Sequence, residues 1–409
     1  MNEAKFAVNE RRKWKSRDRQ QSKEQPQTKE ELQIWLREYC DNVKNHGEPN
    51  TWDVTRVTEM SWLFEYVETF NAPIDQWDTS QVTTMEGMFR GAIAFNQPLT
   101  FNTSQVTTME DMFEGVTSFN QSLAFDTSQV TNMSGMFREA RAFNQPLKFN
   151  TSQVTTMKAM FEDAESFNQP LEWNTSQVTT MRDMFRDTRS FNKRLTFDTS
   201  QVTDMHSMFG GTNSFNQPLT FDTSQVTDMT YMFGHATVFN QEISAWNTSN
   251  VTTMNSMFYA ARAFNQDISA WNTSQVTDMC GLFNKATVFN QLLTLDTRQV
   301  TTMENMFGHA RAFNQPLTFD TSQVMTMQFM FGHARAFNQP LTFDTSQVTN
   351  MEDMFTHAKA FNKPLPFNTS QVTNMEGMFY DATAFNQPLT FNTSNVTNMA
   401  YMFTHATSF

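Results

Sequence analysis

Five histidines, His235, His309, His333, His357 and His405, each stand two positions after a Met-Phe pair, and three of them follow one another at intervals of 24 residues. Imidazoles stacked in this way would make a metal-binding or proton-titrating ladder, since the ring is a common ligand and titrates near neutrality. The same column also holds Gly91, Gly115, Asp163, Asp187, Lys285 and Asp381, so it reads as a tolerant surface column, and no metal or other cofactor is predicted. A second column, Thr79, Thr103, Thr127 and Thr151, could form an ice-binding hydroxyl array, but its residues are equally those of turn and capping chemistry. The run Arg11, Arg12, Lys13, Lys15, Arg17 and Arg19 could dock on nucleic acid or an acidic surface, or form a solvated tail. There is no Gly-rich phosphate loop, no His/Cys metal spacing and no Ser/His/Asp set outside the repeated columns, so the prediction is a protein that is not an enzyme.

Composition points the same way. The chain has 41 Phe and 30 Met but is only 39% hydrophobic, a bias produced by copying one template many times. Formal net charge is −13, although the first 27 residues carry eight Lys or Arg against four Asp or Glu. An acidic body argues against phosphate-backbone binding along its length and leaves only the basic tail for nucleic acid. Cys40 and Cys280 are too few and too far apart for a disulfide framework. Met1 leads into a charged segment with no apolar core of a signal peptide, and no apolar run spans a bilayer. That pattern points to the cell interior or an assembled particle rather than secretion.

The template is visible on aligning the Val of Ser/Thr-x-Val-Thr-x-Met. That residue recurs from Val57 and Val82 to Val396, at 24-residue spacing in eleven intervals and 25 in three. Met follows three positions after every Val, Met or Leu six after, Phe seven after and Phe again thirteen after. Offsets of 0, 3, 6, 7 and often Ala at 10 match one helical face, as in Val130, Met133, Met136, Phe137 and Ala140, so a short helix is predicted in each unit. Thr107 and Thr108 would cap such a helix. The segment after it alternates Leu99 and Phe101 and predicts a short strand, and Asp/Asn-Thr-Ser predicts a turn. Three linking segments, ending in Trp77, Trp246 and Trp271, carry one extra residue, read as a bulge.

A unit this short cannot bury its own Met/Phe face, so neighbours must stack. The predicted fold is an α/β repeat solenoid, leucine-rich-repeat-like, of about 15 rungs of 24–25 residues, each a short strand plus a short helix. At the usual strand spacing it would be a rod or arc about 70 Å long. Core residues are predicted at Met85, Met88, Phe89 and Phe95 and again at Met229, Met232, Phe233 and Phe239. The Asn after the second Phe, as at Asn96, Asn120, Asn144 and Asn168, reads either as a row of ligand-binding amides or as a buried amide ladder bonding backbone between rungs. The ladder is the reading adopted.

The unit Trp-Asp-Thr-Ser-x-Val-Thr-x-Met-x-x-Met-Phe-x-x-Ala-x-x-Phe-Asn-Gln-x-Ile/Leu, which Trp246–Ile268 follows almost letter for letter, resembles that of the BspA-like leucine-rich-repeat proteins, the family with the Mycoplasma-type lipoprotein surface repeat. The resemblance covers residues 51–409. It implies a leucine-rich-repeat type of solenoid and a role in surface adhesion or protein binding, and it brings no catalytic residues. Thr28-Lys-Glu-Glu-Leu-Gln-Ile-Trp resembles the helix preceding such arrays. Thr28 with Glu31 makes a capping-box pattern, and Leu32, Trp35, Leu36 and Cys40 share one helical face.

The chain therefore divides into a basic tail (1–27), an N-terminal capping helix (28–47) and the repeat solenoid (48–409). Other proteins are the expected partners, bound along the long face; the alternative is a strut or cement component of a virus particle or cell envelope. The last unit stops at Phe409, where its helix, with Met399, Met402 and Phe403, is expected to act as a lid, failing which end-to-end self-association would cover it.

Overall fold

Two residues of every unit, the fifth and the ninth after the aligned Val, have positive φ, and this decides how the chain folds. In the unit of Val106 they are Asp111 (φ 52°) and Gly115 (φ 69°); in that of Val226 they are Tyr231 (φ 56°) and His235 (φ 58°). An α-helix cannot pass through such residues, so the predicted helix is absent from every described rung, and the Met/Phe stripe runs along a staircase of β-turns instead. Met112 N–H donates to Met109 O and Val116 N–H to Phe113 O, each closing a turn whose third residue is left-handed, as in a type II turn. The N–H groups between them point along the stack: Asp111 to Ser134 O, Phe113 to Met136 O and Gly115 to Arg138 O. Donors thus alternate between the local turn and the next rung, and no orphan backbone groups accumulate in the core.

The computed structural model describes residues 25–43 and 45–409. It shows a repeat solenoid whose rungs are joined by an unbroken series of parallel β-bridges two positions after each Val, from Glu59↔Thr84 and Thr84↔Thr108 to Asn374↔Asn398. The β pairing therefore sits in the Val-Thr-x-Met segment. The Leu-Thr-Phe segment read as a strand pairs only at Leu99↔Leu123 and Leu293↔Leu317. Thr107 and Thr108 cap no helix: Thr107 N–H donates to Thr83 O, and Thr108 O receives Met85 N–H.

The interior is a stack of side-chain columns. Met85, Met88, Phe89, Phe95, Met229, Met232, Phe233 and Phe239 are all 0% exposed. Phe137 lies 5.7 Å from Phe161, and Phe143 lies 6.1 Å from Phe167, with interplanar angles of 4° and 5°. On the far side Phe101 and Phe125 stand 6.5 Å apart, so successive rungs diverge toward that side. The extra residue before Trp77, Trp246 and Trp271 makes a turn rather than a bulge, closed by Trp77 N–H to Ile74 O, Trp246 N–H to Ile243 O and Trp271 N–H to Ile268 O.

At the N-terminal end a helix, α1 (Lys29–Cys40), covers the first rung. Glu31 N–H donates to Thr28 Oγ1 at 3.3 Å, and Gln27 N–H donates to Glu31 Oε2 at 2.6 Å. Leu32 and Leu36 are buried, Trp35 and Cys40 pack partly against the core, and Trp35 meets Trp52 edge-on at 5.6 Å. At the other end no helix forms over Met399–Phe403; Phe403 continues the ring stack on Phe379 at 5.6 Å.

Candidate binding face

The faces of the rungs differ in what they do with their polar groups. On the turn side Thr79, Thr103, Thr127 and Thr151 are 1–2% exposed, and Thr103 Oγ1 donates to Asp126 O at 2.8 Å, so this column is not a hydroxyl surface and the ice-binding possibility falls. The Asn column is a relay. Asn120 N–H donates to Asn96 Oδ1 (3.0 Å), Asn144 N–H to Asn120 Oδ1 (2.9 Å) and Asn168 N–H to Asn144 Oδ1 (2.9 Å). Its amides are half-buried or exposed rather than buried. The basic residues Arg11, Arg12, Lys13, Lys15, Arg17 and Arg19 lie outside the described residues.

The staircase face is different. Its positions four, five, eight, nine and eleven after each Val vary freely from rung to rung, while the apolar columns and the Thr and Asn columns that bond between rungs repeat. Left-handed backbone explains part of the composition, because Gly, Asp, Asn and His are the residues that tolerate positive φ best. Seven of the 12 glycines fall in the two left-handed columns, and the histidines His235, His309, His333, His357 and His405 all sit in the second of them. The His column is thus a conformational choice, with His235 and His405 exposed and His309, His333 and His357 half-buried.

Within the first six rungs the eighth position reads Glu65, Arg90, Glu114, Arg138, Glu162, Arg186, alternating in sign. Arg90 Nε lies 2.9 Å from Glu114 Oε2, Arg90 Nη1 lies 3.7 Å from Glu65 Oε1 and Arg186 Nη1 lies 3.4 Å from Glu162 Oε1; Arg138 also pairs with Glu114. Burial, and then the neighbouring Glu114, push the Asp111 carboxyl up to about 6. The charges of this column neutralise one another.

Beyond Arg186 the same column becomes Gly210 and Gly234, and later Gly308 and Gly332, so the bars of the zipper give way to a trough. Rings occupy the space. A Cβ on Gly332 would stand 2.7 Å from the Phe329 ring, and one on Gly234 2.7 Å from the Tyr231 ring. His309 stacks on His333 at 4.3 Å, and His357, tilted by 33°, meets the His333 ring at 4.2 Å. Burial, with His309 and His357 beside it, pushes His333 down to about 4, and burial followed by Lys285 also lowers His309 and His235. His357 Nδ1 sits 2.6 Å from Asp381 Oδ2. Among the described residues no group of three His, Cys, Asp or Glu is placed to hold a metal ion.

Two depressions lie along the trough. One, about 490 Å³, is lined by Phe329, His333, Asp353, His357, Glu376, Tyr380 and Tyr401. The other, about 420 Å³, is lined by Arg262, Lys285, Thr287, His309 and Arg311. Neither cluster was singled out from sequence, although the break from alternating Glu/Arg to Gly in one column was there to be read.

The repeat that builds this face is matched by a family model described as "Mycoplasma protein of unknown function, DUF285", over residues 36–125, 123–220, 195–294, 291–366 and 341–409. The chain belongs to the DUF285 family. No curated protein matches it. Among solved structures, a leucine-rich repeat protein from Eubacterium ventriosum is 13% identical, with 78% of this chain and 80% of that chain covered, at a TM-score of 0.38. A plant peptide hormone receptor, RGFR1, in complex with RGF2, is 8% identical over 81% of this chain and 56% of that one, at a TM-score of 0.25. In these DUF285 repeats, then, the invariant columns build the scaffold and the staircase face carries what distinguishes one rung from the next.

Proposed function

We propose that this DUF285 chain is a non-enzymatic solenoid that binds other proteins through its staircase face. One observation carries the reading: among copies otherwise nearly identical, variation between rungs is concentrated in the outward columns of a single face. Core columns such as Met229 and Phe233 repeat because stacking demands one shape, and Thr103 and Thr127 repeat because each bonds the next rung. No such demand acts on Tyr259, Phe329 or Tyr380, which differ from the residues above and below them. A rigid scaffold presenting varied side chains in fixed register is how repeat proteins build extended binding surfaces. Rings and guanidinium groups are also the side chains that dominate interface energetics.

The test is site-specific photo-cross-linking of the full chain in an extract of its source organism. A benzoylphenylalanine at Tyr259 or Tyr380, on the staircase face, is expected to capture partner proteins. The same group at Gln129 or Gln153, exposed in the turns before the aligned Val and outside the staircase, is expected to capture none. Capture from the Gln positions alone would overturn the assignment of the face.

A further inference from the structure

We propose that Arg262, Lys285, Arg311 and Arg335 form a docking bank for an extended acidic peptide segment lying along the solenoid axis. The proposal rests on the staircase face being the binding face and names the class of partner it takes. In a chain of net charge −13, these four cations stand together on consecutive rungs of one face. Arg262, Arg311 and Arg335 are exposed, and no described carboxylate forms an ion pair with any of them. This contrasts with Arg90, Arg138 and Arg186, which are all held by Glu on neighbouring rungs. Lys285 is held in place by the Tyr259 hydroxyl, 2.5 Å from its Nζ, and by the Tyr259 ring at 4.8 Å, and neither neutralises it. The uncompensated charge is felt locally: Lys285 and Arg311 add to burial in lowering His309. The bank ends at Lys359, which is paired with Asp381.

The geometry favours a peptide. At the bank adjacent rungs are joined directly, Ala312 N–H donating to Thr287 O at 3.2 Å and Ala336 N–H to Arg311 O at 3.3 Å, which holds them at about the spacing of neighbouring strands. Alternate side chains of an extended strand repeat at roughly 6.6 Å on one face, so carboxylates at every second residue fall within reach of long, flexible cationic side chains rooted on neighbouring rungs. Arginine is the cation suited to this, since its planar fork takes a carboxylate in two parallel hydrogen bonds. The depression beside Arg311, lined also by Arg262, Lys285, Thr287 and His309, gives the peptide a place to lie against the bank. A single-stranded nucleic acid would need free ring faces for its bases. Here the middle ring, His333, is covered on both sides by His309 and His357.

The full chain is titrated into a fluorescein-labelled peptide of alternating Glu and Ser, followed by anisotropy. Binding is expected, weakening as salt is raised, and weakening about tenfold in the double variant Arg311→Gln/Arg335→Gln, since two exposed charge pairs are lost. Arg141→Gln, in the same column but facing Glu165 on the next rung, is expected to leave it unchanged. Equal affinity in the double variant and the parent overturns the proposal. So does a poly-uridylate strand that binds more tightly and displaces the peptide. Either failure, with cross-linking from Tyr259 and Tyr380 intact, removes the acidic peptide and keeps the binding face. Loss of that cross-linking removes the face itself.

Discussion

The side-chain oxygen of Asn144 accepts the backbone N–H of Asn168 at 2.9 Å, and Gln169 Nε2 donates to the same oxygen at 3.0 Å. One amide thus satisfies two donors of the following rung, at a bend where no β-bridge could do so. Asn144→Leu leaves both donors without this partner, at a cost of about 1–3 kcal/mol. Asn144→Asp keeps the acceptor and should recover most of that loss. Chemical denaturation of the two variants against the parent checks this; equal destabilisation by both would show that the acceptor is not what matters.

Met229 is wholly buried between neighbouring rungs. Met229→Asp brings an unpaired carboxylate into that column and should cost several kcal/mol. Because each rung contacts only its neighbours, the loss should be local. Hydrogen exchange is expected to accelerate around Val226 and in the adjoining rungs, with protection near Val106 retained; an unaltered melting curve would contradict the burial of the column.

Asp111 should report its own environment through pH. Its carboxyl is raised to about 6 by burial and then by Glu114, against the pull of Arg138 and Arg90. The folded state therefore binds more protons than the unfolded state between its ordinary 3.8 and about 6, and stability contributed by this group declines as pH rises through that window. Asp111→Asn, which keeps a side chain suited to positive φ, should melt higher than the parent at pH 7 and show no advantage at pH 3.5.

His333 has the opposite linkage. Lowered from 6.5 to about 4, it stays neutral in the folded state while the unfolded chain takes up a proton. Its contribution is present above pH 6.5 and is lost as pH falls toward 4. The groups around it, His309, His357, Arg311 and Arg335, all work in the same direction. His333→Asn should be near neutral at pH 7.5 and should flatten the fall in melting temperature between pH 6.5 and 4; an unchanged acid slope would show that the histidine stack carries no such linkage.

The glycine trough makes a steric prediction. Gly332 has no positive φ, so its role is space: an added Cβ would meet the Phe329 ring at 2.7 Å. Gly332→Ala should displace that ring at a cost of about 1–3 kcal/mol, and Phe329→Leu in the same chain should relieve much of it. Thermal melts of the single and double variants measure the coupling.

The apolar columns were legible in the sequence because stacking copies of one short unit leaves only one use for a Met or Phe that recurs at every turn of the repeat. Met85, Phe89 and Phe95 needed no coordinates to be placed in a core. The Thr28/Glu31 start of α1 was legible for a similar reason, since a cap is a local bond between residues three apart. The helix assigned to each rung was not, because offsets of 0, 3, 6, 7 and 10 describe a row of type II turns as well as a helical face. What separates the two is backbone handedness at Asp111, Gly115, Tyr231, His235 and their equivalents. The Gly, Asp and His in those columns were a clue to that handedness, and the β pairing followed it into the Val-Thr-x-Met segment.

What the sequence determined alone was the period, the buried columns and the relay of side chains that must bond between rungs, since these follow from residue type and spacing. Only the tertiary structure decided which charges meet. The same column carries Arg141, 3.8 Å from Glu165, and Arg311, which has no carboxylate in reach among the described residues. Arginine looks identical in both places along the chain. The difference lies in what the next rung brings alongside it, and that is fixed by the stagger and turn of the stack rather than by any residue nearby in sequence.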